Sequence, residues 1–130
     1  MFRKSMACSG FSVDDLSRAK EFCGTTLDLD VKEDKKMGLL TVKLATGGRI
    51  MIYPKGPGHA PATCTVLNFP VGDIDKAVDE LRSRGVRLER YDGFKQDDKG
   101  IVRVSPDTRG PSIAWFKDPA GNILSVVQDG

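Results

Sequence analysis

The sequence predicts an α+β fold made of two βαβββ modules, and three observations predict it. Phe11-Ser-Val-Asp-Asp-Leu-Ser-Arg-Ala19 aligns with Phe69-Pro-Val-Gly-Asp-Ile-Asp-Lys-Ala77 at an offset of 58 residues (69 − 11), with Phe, Val, Asp and Ala coinciding. Each copy runs from an alternating apolar segment into a helical stripe, as a duplicated unit should. Between the copies lies Pro54 to Pro61 (PKGPGHAP), with three Pro and two Gly in eight residues, which reads as a connector. The expected organisation is one domain, 1–130, with module one at about 5–55, the connector at 54–61 and module two at about 62–128.

In the first copy, Met6 to Val13 is predicted as a strand. Asp14 or Asp15 caps a helix whose buried stripe is Leu16, Ala19, Phe22, Cys23 and Leu27. Leu29 and Val31 suggest a short strand, after which Lys32 to Lys36 (KEDKK) reads as a solvated turn. Leu39 to Leu44 forms the next strand, and Gly47-Gly48 turns the chain into Arg49 to Tyr53.

The second copy repeats that order. Thr63 to Val71 is a strand, Asp73 a cap, and Ile74, Ala77, Val78 and Leu81 the helical stripe, ended by Gly85. Val86 to Leu88, Ile101 to Val104, Ile113 to Phe116 and Ile123 to Val127 follow as strands, the last two joined by Asp118-Pro-Ala-Gly-Asn122, a tight-turn signature. Residues 89–112 are polar and longer than a hairpin needs, so part of them is expected to be a mobile loop beside the site.

Composition limits the function. Twenty Lys and Arg against 18 Asp and Glu give a net charge of +2 with the basic residues scattered, which argues against nucleic acid as a partner. No apolar run reaches the roughly 18 residues of a membrane span, and Met1 to Ala7 lacks an apolar signal core, so a cytoplasmic protein is expected. Cys8, Cys23 and Cys64 are odd in number and lack CxxC spacing, so they are expected to be reduced and mostly buried.

The residues also resemble the vicinal oxygen chelate superfamily, the glyoxalase/bleomycin-resistance/dioxygenase group. The marks are Val13-Asp-Asp-Leu16 with Ala-Lys-Glu-Phe22, Val71-Gly-Asp-Ile74 with Ala77 and Leu81, and Trp115-Phe-Lys-Asp-Pro-Ala-Gly-Asn122, which together span nearly the whole chain. The resemblance implies two modules forming a curled mixed sheet around a cleft, often completed in a homodimer. It also implies metal ligands, usually His or Glu, on the first and last strand of each module. At those places stand Cys8, the segment Arg49 to Lys55 without His, Asp, Glu or Gln, Val66 and Ser125. These do not suit a hard divalent ion, so no metal and no cofactor are expected. The single His59 sits in the connector and reads as a solvated loop residue.

Strand alternation would place Cys8, Met51, Tyr53, Val66, Asn68 and Ser125 on the concave face, with Trp115 as a stacking surface there. Phe11, Val13, Ile50, Ile52, Leu67, Phe69, Leu124 and Val126 would make the core. Neither Ser125 nor Cys8 has an activating His in this layout, and Asp14, Asp15 and Asp73 serve as caps. The expectation is a metal-independent protein that binds a small apolar or aromatic molecule. The alternatives are a glyoxalase-like lyase or isomerase or a dioxygenase-like enzyme with a divergent site, and a structural or regulatory dimer with a vestigial cleft.

Overall fold

Two aspartates at matching points of the repeat start the two helices. The structure, a computed structural model, describes residues 1–104 and 110–129. Asp15 and Asp73 lie in extended backbone, and their carboxylates accept hydrogen bonds from Arg18 N–H at 3.2 Å and Lys76 N–H at 3.1 Å. Each bond satisfies a donor that the first helical turn would leave orphaned. Asp14 instead accepts from Asp15 N–H at 2.9 Å.

The chain divides into two compact units, Met1–Pro61 and Ala62–Gly130. Unit 1 holds β1 (Ser9–Val13), α1 (Leu16–Glu21), β2 (Asp30–Asp34), β3 (Leu39–Lys43) and β4 (Arg49–Pro54). Helix α1 passes into a π-helical turn, Phe22–Thr26, closed by Leu27 N–H on the Phe22 carbonyl at 2.9 Å. The sheet order is β1-β4-β3-β2, with β1 parallel to β4 and the other neighbours antiparallel. Alternation sends Phe11, Val13, Leu40, Val42, Ile50 and Ile52 to the side of the sheet that meets α1, where they are buried with Ala19 and Cys23.

Unit 2 holds β5 (Thr65–Pro70), α2 (Ile74–Ser83), β6 (Ser112–Lys117) and β7 (Ile123–Gln128), in the order β5-β7-β6. Ile74, Val78 and Leu81 make the buried stripe of α2, and Gly85 beyond its end has φ +83°. The main chain there enters the left-handed region that glycine tolerates without a Cβ clash. Ala114, Phe116, Leu124 and Val126 are buried. The Asp118 to Asn122 turn is held by its own polar groups. Asp118 Oδ1 accepts from Ala120 and Asn122 N–H, and Asn122 Nδ2 donates to Asp118 Oδ2 at 3.0 Å.

Several expectations are corrected. The charged run Lys32 to Lys36 is no simple turn, because Lys32, Glu33 and Asp34 pair with β3 before the chain turns. Strands begin later than predicted, at Ser9 and Thr65, because the preceding residues have no partner strand to bond. Val86 to Leu88 and Ile101 to Val104 are reduced to the single bridges Leu88–Phe116 and Val102–Ile113. Residues 89–104 of the predicted loop carry specific hydrogen bonds, and 105–109 lie outside the described residues. Cys23 is buried, but Cys8 and Cys64 are exposed, since both precede the strands meant to bury them.

Candidate functional faces of the two sheets

In unit 2, α2 marks one face of the sheet. Gln128 Oε1 accepts from Ile74 N–H at 2.7 Å, so Leu124, Val126 and Gln128 share the helix side. Ser125 points to the other side. Its register partners are Asn68 in β5 and Trp115 in β6, and cross-strand partners project to the same face. Ser125 is fully buried and donates its hydroxyl to Asn68 Oδ1, which leaves the Asn68 amide N–H groups as that side chain's donors.

Trp115 lies under two further rings. The Tyr91 ring meets it edge-on, with centroids 5.5 Å apart and planes at 80°, and Phe94 sits tilted at 5.0 Å. Both distances fall in the range where aromatic rings attract beyond simple burial. Phe94 is 54% exposed whereas Trp115 is 9% exposed, so the outermost ring of the cluster is open to solvent. Tyr91 Oη is the one buried side-chain polar atom without a hydrogen-bond partner among the described residues. Its phenol is shifted upward, first by burial and then by the charge of Glu89, so it stays protonated and able to donate.

Gln96 holds this segment. Its Oε1 accepts from Tyr91 N–H at 2.8 Å, and its Nε2 donates to the carbonyls of Glu89 and Gly100 at 3.0 and 2.7 Å. Further along, Asp97 accepts from Ile101 N–H and Arg103 Nε, and Arg103 grips Asp75 of α2 through two bonds of 2.7 Å. The Arg103 fork holds the Asp75 carboxyl well below the usual range. Desolvation pushes Asp97 up, but the Ile101 amide, Arg103 and the Lys99 amide together outweigh it and bring it down. Lys99 is raised, chiefly by Asp79.

In unit 1, the face opposite α1 carries Gly10, Met51 and Thr41 in one row and Ser12 and Tyr53 in the next. Cys8 Sγ lies 3.6 Å from Met51 Sδ. Gly10 lets the strands approach closely here, since a Cβ would stand 3.1 Å from the Met51 carbonyl and the strand would have to give by a few tenths of an ångström. Lys32, Lys43 and Arg49 share this face with Asp30 and Asp34 through the pairs Lys32–Thr41, Lys43–Arg49, Asp30–Lys43 and Asp34–Leu39, so it is more charged than the mainly apolar lining predicted. His59 is half-buried, with Nδ1 2.8 Å from Ser12 Oγ, and is no solvated loop residue. The contact spans 47 positions and has no local signal.

The structure thus brings Asn68, Ser125 and Trp115 together in unit 2, and Cys8, Met51 and Tyr53 in unit 1. Val66 falls where the β5–β7 register shifts between Thr65 and Leu67, so simple alternation does not assign its direction. Tyr91, Phe94 and Ser12 are site candidates that sequence reasoning missed, and His59 is one that it set aside as a solvated loop residue. Among the described residues no three His, Cys, Asp or Glu side chains come together as a metal site. The residues at the expected ligand positions do not fit a divalent ion: a thiol beside a thioether, a valine, and a hydroxyl already given to Asn68.

The element order, strand pairings and repeat define a fold: the chain has the glyoxalase/bleomycin-resistance fold. It is similar to TnmS3, an antibiotic binding protein from Streptomyces sp. CB03234, at 24% identity over 95% of this chain and 96% of that one, with a TM-score of 0.67. A glyoxalase family protein from Bacillus anthracis is similar at 20% identity over 95% of each chain, with a TM-score of 0.68. The fosfomycin resistance protein FosX from Listeria monocytogenes, complexed with manganese(II), is similar at 12% identity over 95% of this chain and 88% of that one, with a TM-score of 0.66. No family model and no curated protein matches the chain. Among the described residues no helix is long and apolar enough to cross a membrane.

Proposed function

We propose that the protein binds a small, partly aromatic molecule without a metal, on the unit 2 face that carries Trp115, Asn68 and Ser125. The observation that carries this is the buried Tyr91 hydroxyl, left without a partner beside the Trp115 and Phe94 rings. A buried donor without an acceptor costs about 1–3 kcal/mol, and a ligand acceptor would remove that cost. The similarity to an antibiotic binding protein supports a small-molecule role. Cys8, Met51 and Tyr53 of unit 1, and Val66, belong to the proposed binding set, each to be tested separately. The protein is proposed to act as a cytoplasmic homodimer, for which light scattering should give twice the chain mass.

The test is Tyr91→Phe. Removing the unpartnered hydroxyl should leave thermal stability unchanged or raised, while aromatic ligands found by thermal-shift screening should bind about threefold to tenfold more weakly. Unchanged affinity would remove Tyr91 from the site. Absence of any stabilising aromatic compound would sink the binding reading, since a ligand selective for the folded state must stabilise it.

A second reading, an enzyme of lyase or isomerase type with a divergent site, draws support from the Ser12–His59 pair, a hydroxyl and an imidazole at 2.8 Å. It requires turnover that His59→Gln abolishes while the fold persists.

A further inference from the structure

Unit 2 has a concavity where the end of α2 meets the chain around Gly100. Its volume is about 360 Å³, and it is lined by Arg82, Arg87, Arg90 and Lys99, with Val86 and Leu88 as apolar wall and Asp98 as the acid. Lys99 is engaged by Asp79 at 3.0 Å and Asp75 at 3.4 Å. The three arginines are different. Arg90 is held in place by the carbonyls of Asp97 and Asp98 at 2.8 and 2.9 Å, which orient its guanidinium without neutralising it. Among the described residues, neither Arg82 nor Arg87 has an ion-pair partner.

Helix-end electrostatics explain only part of this. A cation at Arg82, in the last turn of α2, offsets the negative end of the helix. Arg87 lies beyond the helix. Three carbonyls of the last helical turn already have donors, because Arg84 N–H bonds to Glu80 and Leu81, Gly85 N–H to Arg82, and Val86 N–H to Leu81. The concavity is therefore lined by three arginines, besides the engaged Lys99, against a single acid, Asp98. Guanidinium forks match the oxygens of a phosphate, and their mutual repulsion falls when a dianion sits among them.

We propose that this concavity binds a small organic phosphate, with the phosphate held by Arg82, Arg87 and Arg90 and its organic part against Val86 and Leu88. The site is separate from the Trp115 face and does not depend on the function proposed there.

The test uses phenyl phosphate and inorganic phosphate as probes, titrated at constant ionic strength while backbone amide resonances are followed by NMR. Saturable shifts confined to Gly85 through Leu88 and Gly100 are expected, with phenyl phosphate binding more tightly. The Arg82→Gln/Arg87→Gln double variant should bind at least about tenfold more weakly, since hydrogen bonds to charged groups are among the stronger ones. Lys43→Gln, on the charged face of the unit 1 sheet, should leave the affinity unchanged. Circular dichroism of the double variant checks that it folds; if it does not, Arg87→Gln alone carries the comparison. Shifts that do not saturate, shifts centred on Lys43 and Arg49, or an unchanged affinity in the folded variant would each overturn the site. Phenyl phosphate binding no more tightly than inorganic phosphate would overturn the organic ligand.

Discussion

The two units place the same row of their sheets to different use. Across three strands, unit 1 sets Gly10, Met51 and Thr41 side by side, and unit 2 sets Asn68, Ser125 and Trp115 in the corresponding order. The first row has a glycine at its parallel strand and a fourth strand at its edge. The second has a hydrogen-bonded polar pair and an indole, and its edge is reduced to the two bridges at Leu88 and Val102. Between those bridges the chain has room to bring Tyr91 and Phe94 over Trp115. Loss of regular pairing at one edge is thus what allows unit 2 to build an aromatic cluster.

The largest effects should come from the helix side of each sheet. Phe116→Ala is expected to cost about 3–5 kcal/mol and Leu40→Ala about 2–5, measured by urea unfolding, because both side chains are almost wholly buried. Losses below about 1 kcal/mol would show that the two inner faces are not closely packed. Replacing Trp115 by the residue of the matching unit 1 position, Trp115→Thr, should cost on the order of 3 kcal/mol and free the segment bearing Tyr91 and Phe94, read as faster amide exchange at Tyr91. Exchange unaltered there would mean that Gln96 alone holds the segment.

The helix starts sharpen the comparison from the side of similarity. Asp15→Ala and Asp73→Ala should each cost about 1 kcal/mol, since the two caps share backbone conformation and bond length. A large difference in melting temperature between them would break the equivalence of the repeats.

Smaller again is an acid effect in unit 2. Asp75 and Asp97 both have lowered carboxyl groups in the folded chain, so the unfolded chain binds protons first as pH falls. Their contribution is present above the unfolded carboxylate value of about 4 and is lost as pH falls through it toward the folded values. Water screens these exposed pairs, so the change should be local. Ile101, whose N–H donates to Asp97 at 2.8 Å, should lose exchange protection between about pH 5 and pH 2. In Asp75→Asn that acid response should shrink; an identical profile would remove the Arg103 link as its origin.

Local chemistry made much of the fold legible in the sequence. A capping aspartate acts within three residues, and the Asp118 to Asn122 turn closes on itself, so both can be read without knowing any partner strand. The strand stripes of unit 1 were equally plain, because Phe11, Val13, Ile50 and Ile52 alternate without interruption. What remained hidden depends on distant partners. The β-branched residues near Val86 and Ile101 looked like strands, yet Gln96 and Asp97 take up neighbouring backbone groups that a ladder would need. Ser12 and His59 meet only after β1 and the connector are both placed. The register shift at Val66 likewise exists only in relation to β7.

Gln96 has an implication for how such a protein can diversify. One amide side chain fastens Glu89, Tyr91 and Gly100, while the ladder of β5, β7 and β6 runs independently of the stretch between Tyr91 and Gln96. Residues can therefore be exchanged or inserted in that short stretch, altering what covers the indole, at little cost to the sheet beneath. New molecular preferences become reachable through one surface segment, with the scaffold inherited unchanged.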